Sequence, residues 1–276
     1  MDFLLFIQSL VLGIVEGLTE FLPVSSTGHL ILAGDLIGFE PAWGESFYIA
    51  IQAGAIVAVC WHYRMRLISI LFNLFKSGKQ QRLAVNIVVG FLPAAFLGAT
   101  LSSFVKAHFF NVFTVALALV AGGLIILWIE SRHEKQHVRP RIQEIDEMTV
   151  KDAFAVGCMQ CFALIPGTSR SGSTIIGGLI LGLSRKAATE FSFFLAIPTI
   201  FGATVWDLWQ SREALSVESL PAIAVGFVVS FVSAIVVVRW LLRYVSSNDF
   251  RVFGWYRIIF GLVILVAGYF GVGIAL

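Results

Sequence analysis

Two glutamates and a histidine lie within one short stretch of otherwise apolar sequence near the start of the chain, EGLTEFLPVSSTGH. Glu16 and Glu20 are four positions apart, so they share a face if the segment is helical. Neighbouring carboxylates repel each other unless a proton or a cation lies between them. The pair could bind a divalent cation through its oxygens, or one glutamate could act as a general base. The alternative without chemistry is a pair neutralised by a proton or by a partner helix.

The same stretch carries two candidate nucleophiles, Ser26 and His29. An imidazole can be phosphorylated directly, or it can take the proton from a serine or a water. The residue pattern leaves these alternatives open, together with a structural histidine at a helix start. The neighbouring hydroxyls of Ser25 and Thr27 favour a chemical role.

A second polar stretch, PGTSRSGST at 166–174, places Arg170 in apolar surroundings. A guanidinium keeps its proton, so it needs an anion or several hydrogen-bond acceptors there. Glycines and hydroxyls just before a new helix are typical of an anion-binding site. The hydroxyls are those of Ser169, Ser171, Ser173 and Thr174. The alternative is an internal ion pair of Arg170 with Glu16 or Glu20, which could open to admit a phosphate.

The elements that must hold these residues are membrane-spanning helices. Hydrophobic residues make up 58% of the 276-residue chain and charged residues 13%, with a mean hydropathy of +0.89. A soluble domain carries about 25% charged residues. Six apolar segments are long enough, or nearly so, to cross about 30 Å of hydrocarbon as helices. They are 47–61, 85–101, 112–129, 191–206, 221–238 and 253–270.

The net charge of +2 is too small to indicate a nucleic acid partner. The opening residues, MDFLLFIQSL, have no basic start before their apolar part, so no signal peptide is expected.

Lysines and arginines are unevenly distributed among the connecting segments. Segments 62–82, 130–152 and 239–251 are rich in them, whereas 102–111 has only Lys106 and 207–220 has only Arg212. The positive-inside rule therefore places the first three in the cytoplasm and the last two outside.

This topology constrains the two polar stretches. The span before 130–152 ends in the cytoplasm and the span from 191 starts there, so segment 153–183 must begin and end on the same side. The segment could make two tight crossings or form a re-entrant hairpin. Pro166 and Gly167 break any helix at its centre, which favours a re-entrant pair of half-helices. The same logic predicts that the segment broken at LPVSSTG is re-entrant from outside.

The two broken segments are related by a shift of 144 residues. The shift aligns Gly13 with Gly157, Glu16 with Gln160, Ser25 with Ser169, Thr27 with Ser171, Gly28 with Gly172, Gly34 with Gly178, and Gly38 with Gly182. We therefore predict an all-α polytopic membrane protein with an inverted-topology repeat, in which the broken helices meet near the membrane centre. The repeats, about 1–129 and 153–276, form one integral membrane domain, 1–276, and are joined by a charged cytoplasmic loop, 130–152.

An anion pocket with a carboxylate pair and a serine or histidine suits hydrolysis of a phosphate ester or anhydride, and the membrane setting favours a lipid-linked substrate. The rival class is a transporter, because inverted repeats with broken helices also occur in transporters. A carrier would need Arg170 but not Glu16, Glu20 and His29 together, and this combination favours hydrolysis.

Both motifs resemble those of the undecaprenyl-diphosphatase family, also called bacitracin-resistance proteins. The first family motif, Glu-x-x-x-Glu followed by Pro-Val-Ser-Ser-Thr-Gly-His, stands here as Glu16, Glu20 and Pro23 to His29. The second, Pro-Gly-x-Ser-Arg-Ser-x-x-Thr, stands as Pro166, Gly167, Ser169, Arg170, Ser171 and Thr174. The resemblance also includes EFSFFLAIP and covers essentially the whole chain. A second family of membrane phosphatases has a His and an Asp after Ser-Arg, and SGSTIIGGLIL contains neither.

The resemblance implies removal of the terminal phosphate from undecaprenyl pyrophosphate, which recycles the carrier lipid for cell-wall synthesis and confers bacitracin resistance. It implies Mg²⁺ or Ca²⁺ as cofactor, a polyprenyl pyrophosphate substrate, and a bacterial inner membrane location with a site opening to the periplasm. The oligomeric state is left open, with a homodimer as one alternative.

The resemblance also implies roles for individual residues. Glu16 and Glu20 would bind the metal, Glu20 would activate the attack, and Arg170 would hold the pyrophosphate. Either Ser26 or His29 would be the nucleophile. The other hydroxyls expected at the pyrophosphate are those of Ser25, Thr27, Ser169, Ser171 and Thr174.

Overall fold

A computed structural model describes residues 2–76, 78–136, 139–210 and 219–269, and these residues form eleven α-helices. The helices are α1 (Phe3–Thr19), α2 (Ser26–Leu36), α3 (Gly44–His62), α4 (Arg64–Phe72), α5 (Lys79–Phe109), α6 (Val112–Gln136), α7 (Val150–Gln160), α8 (Arg170–Ile180), α9 (Arg185–Gln210), α10 (Leu220–Tyr244) and α11 (Arg251–Tyr269). Two short 3-10 turns, Ile145–Glu147 and Cys161–Leu164, complete the helical structure of the described residues.

Six of these helices, α3, α5, α6, α9, α10 and α11, are long and apolar enough to cross a membrane. They coincide with the six predicted spans, and the described residues contain no β-strand beyond one isolated bridge between Ile142 and Leu183. The prediction of an all-α polytopic membrane protein is therefore confirmed. Helix α1 is apolar but shorter, with 17 residues.

Both polar stretches interrupt a helix, as predicted. Helix α1 ends at Thr19 and α2 begins at Ser26, with Pro23 between them. In the second stretch α7 ends at Gln160, the 3-10 turn follows, and α8 begins only at Arg170. Each break therefore delivers a polar loop directly to the N-terminus of an 11-residue helix.

The two loops also share an unusual backbone. Ser25 has a φ of 72° and Ser169 a φ of 74°, and these are the described non-glycine residues with positive φ. Such a conformation is uncommon outside glycine. Gly38 and Gly182, which end the two following helices, have positive φ as well. All four positions match under the 144-residue shift, although the duplication and its inverted orientation across the membrane stay predictions.

Close glycine contacts fix the first helix of each broken segment against a spanning helix. Helix α1 packs against α10, and α7 packs against α5. A Cβ atom at Gly13 would lie 2.7 Å from the carbonyl oxygen of Gly226, and one at Gly157 would lie 2.2 Å from that of Gly90. Small residues allow such close backbone approach between membrane helices. The pairing of Gly13 with Gly157 in the sequence thus corresponds to a similar contact in both halves.

The segment predicted as the charged cytoplasmic loop, 130–152, includes the ends of two helices. Helix α6 continues to Gln136 and α7 begins at Val150, and the described residues between them include the 3-10 turn Ile145–Glu147. Its apolar side chains Ile142, Ile145 and Met148 are almost completely buried against the helices. Hydrophobic burial therefore holds the described part of this charged segment against the helices. The external loop predicted at 207–220 lies partly outside the described residues, since 211–218, including Arg212, are not described.

Arg141 fastens this segment to the start of α7. Its Nη2 donates to Asp152 Oδ1 at 2.6 Å and to the carbonyl oxygen of Leu181 at 3.2 Å. Although partial burial acts to raise it, the hydrogen bonds from Arg141 and Thr149 hold the pKa of Asp152 below its usual range. The end of α8 opposite Arg170 is thereby held in place.

Candidate active site

Glu20, which directly follows α1, joins the two broken segments. Its Oε2 accepts a hydrogen bond from Ser26 Oγ at 2.5 Å, and its Oε1 accepts one from Arg170 Nη2 at 2.9 Å. Glu20 is only 6% exposed. The carboxylate thus links the first residue of α2 to the first residue of α8. The ion pair of Arg170 with a glutamate, which was the alternative to an anion site, is formed with Glu20.

Arg170 uses only two of its five N–H donors in hydrogen bonds within the described structure, which leaves donors for a ligand. Besides its bond to Glu20, its Nη1 donates to the carbonyl oxygen of Ser192 at 3.1 Å, and the guanidinium carbon lies 5.7 Å from the centre of the Phe21 ring. Its Nε is buried and has no hydrogen-bond partner among the described residues. A buried donor without a partner costs free energy until an acceptor arrives, so Arg170 suits an anion with several oxygens.

Glu16 presents the complementary feature, a carboxylate without partners. It is fully buried, and neither of its oxygens has a hydrogen-bond partner in the described parts of the chain. The negative charge of Glu20 disfavours a negative charge on Glu16, whereas the positive charge of Arg170 favours it. Burying an unpaired carboxylate is costly, whereas a hard divalent cation prefers such oxygen ligands. Glu16 and Glu20 could therefore supply two carboxylates to a divalent cation, although the described residues contain no group of three or more His, Cys, Asp or Glu that could hold one.

The two helix N-termini differ in how they are capped. Ser169 Oγ accepts a hydrogen bond from the backbone N–H of Gly172 at 3.1 Å, which caps α8. Ser25 precedes α2 in the same conformation but makes no side-chain cap. The first turn of an α-helix attracts anions through its free N–H groups and dipole. The start of α2, beside Ser26, is the better placed of the two to receive a phosphate.

The hydroxyls of the second loop hold the two loops together. Ser171 Oγ donates to the carbonyl oxygen of Leu22 at 2.7 Å, and Thr174 Oγ1 donates to Ser192 Oγ at 2.7 Å. Ser171 and Thr174 are fully buried. Direct contact of these hydroxyls with pyrophosphate stays a prediction, and the described geometry gives them structural partners instead.

The remaining predicted hydroxyls occupy different environments. Ser25 is buried, and its carbonyl oxygen accepts a hydrogen bond from the His29 ring. Ser169 Oγ lies 3.0 Å from Ser171 Oγ in addition to capping α8. Thr27 is exposed, on the outer side of the first turn of α2. Among the predicted hydroxyls, that of Ser26 is the one with a direct hydrogen bond to Glu20 in the described structure.

His29 faces α11 rather than the carboxylates. Its Nδ1 lies 2.7 Å from the carbonyl oxygen of Ser25, and its Nε2 lies 2.6 Å from the hydroxyl of Tyr256. Its ring stacks on Phe260, with the centroids 4.2 Å apart. A carbonyl can only accept, so Nδ1 carries the proton, and Nε2 of the neutral ring accepts from Tyr256. A base–nucleophile pair of His29 with Ser26 is not formed in this structure.

Sequence reasoning missed three residues of the site, Ser192, Tyr256 and Arg257. Ser192 accepts from Arg170 and Thr174, and Tyr256 orients His29. Arg257 is 1% exposed and contacts both loops. For Arg257 a sequence signal existed, since an arginine inside an apolar span marks a functional position by default. Ser192 lies within EFSFFLAIP, but that stretch alone does not single out its hydroxyl or carbonyl.

Comparison with known proteins gives consistent matches over the whole chain. Residues 9–263 match the family model described as bacitracin resistance protein BacA. The undecaprenyl-diphosphatase of Ralstonia nicotianae is 53% identical, with 98% of this chain and 97% of the relative covered. Undecaprenyl-diphosphatase 1 of Burkholderia ambifaria is 54% identical with 98% of each covered, and the undecaprenyl-diphosphatase of Dechloromonas aromatica is 55% identical with 98% and 97% covered.

Proposed function

Because the chain belongs to the bacitracin resistance protein BacA family, we propose that it hydrolyses undecaprenyl pyrophosphate to undecaprenyl phosphate and inorganic phosphate. The observation that carries the proposal is the contact of Glu20 with both Ser26 and Arg170. It combines a hydroxyl, a proton acceptor and an anion-binding cation between two broken helices. This reaction returns the carrier lipid for cell-wall synthesis and gives resistance to bacitracin.

The geometry supports Ser26 as the nucleophile. Its hydroxyl already donates to Glu20, so Glu20 can take the proton while Oγ attacks the terminal phosphorus. A bond forms between Oγ and that phosphorus, and the bond from phosphorus to the bridging oxygen breaks. Undecaprenyl phosphate leaves with the electron pair and needs no proton. His29 is less suited to this role, because both ring nitrogens have other partners.

Water completes the reaction by displacing the serine from phosphorus. Ser26 Oγ takes its proton back from Glu20, which restores the starting hydrogen bond. Of the two protons of the water, one stays on inorganic phosphate and the other passes to solvent. Arg170 holds the phosphate oxygens through both steps, using the Nε donor that has no protein partner in the described structure.

Glu16 and Glu20 would hold the divalent cation, Mg²⁺ or Ca²⁺, which when bound neutralises charge on the pyrophosphate oxygens. The support for this part of the proposal is the pair of buried, unpartnered oxygens of Glu16. A cation bound by two carboxylates and completed by substrate phosphates is a common arrangement for Mg²⁺.

The membrane setting determines how the substrate arrives. Six candidate spans make the chain a multi-pass membrane protein, so the prenyl tail can stay in the bilayer while the pyrophosphate enters the site. We propose location in the bacterial inner membrane, with the site opening to the periplasm. The support is the distribution of basic residues, which directs the first broken segment inward from outside. Proposed partners are the lipid substrate and membrane lipids but no nucleic acid, and a homodimer stays a prediction.

The test is phosphate release from a C55 or C15 isoprenyl pyrophosphate by the purified protein, with Mg²⁺ or with EDTA. We expect metal-dependent release that is lost in Arg170→Ala and retained in Arg66→Ala. Arg66 is a suitable control because it pairs with Asp146 outside the site. No release from a folded wild-type sample that still binds the lipid phosphate would contradict hydrolysis and favour a carrier.

A further inference from the structure

Arg257, in the middle of α11, is a buried arginine whose hydrogen bonds all go to backbone carbonyls. Its Nε, Nη1 and Nη2 donate at distances of 3.0 to 3.3 Å. The acceptors are the carbonyl oxygens of Pro23, Ala118, Leu119, Gly167 and Thr168. A guanidinium has five N–H donors, so five acceptors saturate it. Arg257 therefore has no donor left for a substrate.

These acceptors belong to three different segments. Two lie in α6, one lies in the first loop three residues before Ser26, and two lie in the second loop directly before Ser169 and Arg170. One nitrogen, Nη1, donates to both Pro23 and Thr168, at 3.1 and 3.0 Å. A single planar group thus bridges the two loops and can set the distance between them.

Helix α6 is shaped to receive this guanidinium. A Cβ atom at Gly122 would lie 2.3 Å from Arg257 Nη2 and 2.7 Å from its Cζ. Even the smallest side chain at Gly122 would therefore force the guanidinium to move. The glycine gives a second way to disturb the same contacts while Arg257 itself is kept.

We propose that Arg257, seated against Gly122, is a positioning residue that sets the distance between Ser26 and Arg170 across Glu20. This inference rests on the proposed function, because its consequence is the alignment of the nucleophile with the anion-binding arginine. Carbonyl acceptors without a carboxylate suit this role, since they bind the cation in fixed directions and leave Glu20 free to pair with Arg170.

The experiment compares Arg257→Lys, Gly122→Ala and the double variant with wild type. Lysine keeps the charge but cannot span five acceptors. Arg185→Lys is the matched control, because Arg185 also donates through Nε and Nη2, but to Glu130 at the cytoplasmic end. For each folded, monodisperse sample, kcat and KM for phosphate release from farnesyl pyrophosphate are measured together with Tm.

We expect Arg257→Lys to lower kcat by about 100-fold, since a displacement of about 1 Å can cost that much, with a smaller change in KM. Gly122→Ala should lower kcat by about tenfold, and the double variant should fall less than the product of the two, because both act on one contact. Arg185→Lys should lower Tm while kcat stays within about twofold of wild type.

A kcat of Arg257→Lys within about twofold of wild type would overturn the inference, as would equal kcat losses in the Arg185→Lys control. If Arg257→Lys does not fold, Gly122→Ala decides by the same criterion. A folded wild type that releases no phosphate would overturn the proposed function and this inference with it. The two failures are therefore distinguishable.

Discussion

The two broken segments have the same backbone but different side-chain partners. Both loops contain a serine with φ near 73° and lead into an 11-residue helix. In the second loop every hydroxyl from 169 to 174 has a protein partner. In the first segment Glu16, in α1, has no hydrogen-bond partner among the described residues, Ser25 makes no side-chain cap, and Ser26 donates to Glu20.

This difference distinguishes the two polar stretches. We call the first, 16–29, the reactive loop and the second, 166–174, the supporting loop. Under the 144-residue shift Ser26 aligns with Arg170, and both of these first helical residues bond to the same carboxylate. Glu16 aligns with Gln160, which is paired with Thr199, and Glu20 aligns with Leu164. The second half thus has no carboxylate pair of its own. Two similar backbones thus form one asymmetric site rather than two.

The largest effect is expected at the hydroxyl of the reactive loop. Ser26→Ala removes the proposed nucleophile, so kcat should fall by about a thousandfold or more. Ser173→Ala is the matched control, since its hydroxyl donates only to the carbonyl oxygen of Ser169, at 2.9 Å. Phosphate release and transfer of a terminal ³²P label to the protein are measured. Labelling of Ser26→Ala at the wild-type level would exclude Ser26 as the nucleophile.

A second substitution makes the reactive loop more similar to the supporting loop. Glu16→Gln places an amide where the second half has Gln160, which removes a buried carboxyl group that has no hydrogen-bond partner among the described residues. We expect a higher Tm, because an amide cannot bring a negative charge next to Glu20, and a kcat about tenfold lower because one cation ligand is weakened. The rise in Tm on adding Mg²⁺ should also shrink. An unchanged Mg²⁺-dependent shift would remove Glu16 from the cation site.

A smaller effect is expected at the contact between His29 and α11. Tyr256→Phe keeps the aromatic stacking but removes the donor to Nε2. If His29 only orients the carbonyl of Ser25, kcat should fall by about threefold to tenfold, as for loss of one neutral hydrogen bond. Trp255→Phe on the same helix is the control, because Trp255 is exposed. A loss as large as that of Ser26→Ala would instead give His29 a direct chemical role.

The sequence could predict the framework because its signals are local. Runs of apolar residues mark the six spans, and Pro166 and Gly167 mark the break before α8. The 144-residue shift indicates that the two loops are related, and the pairing of Arg170 with a glutamate follows from the cost of burying either charge alone.

The partners of each polar group could not be predicted, because they depend on contacts between distant segments. Tyr256 lies 227 residues from His29, and Arg257 lies 234 residues from Pro23. Hydrophobic periodicity within a span does not say which helix its neighbour will be. The buried hydroxyls of Ser171 and Thr174 show the same limit, since their residue types suit an anion site as well as loop contacts.

The smallest effect on activity is expected at the capping hydroxyl of the supporting loop. Ser169→Ala removes the bond to the N–H of Gly172, so the protein should lose about 1 kcal/mol of stability, as is usual for an N-cap. Because the hydroxyl has no contact with Glu20, kcat should stay within about threefold of wild type. Ser169→Gly makes the comparison sharper, since glycine loses the same cap but relieves the positive φ and should recover part of the Tm. If both variants instead lose activity as Ser26→Ala does while Tm is unchanged, the second loop takes part in the chemistry, and the division between reactive and supporting loops is wrong.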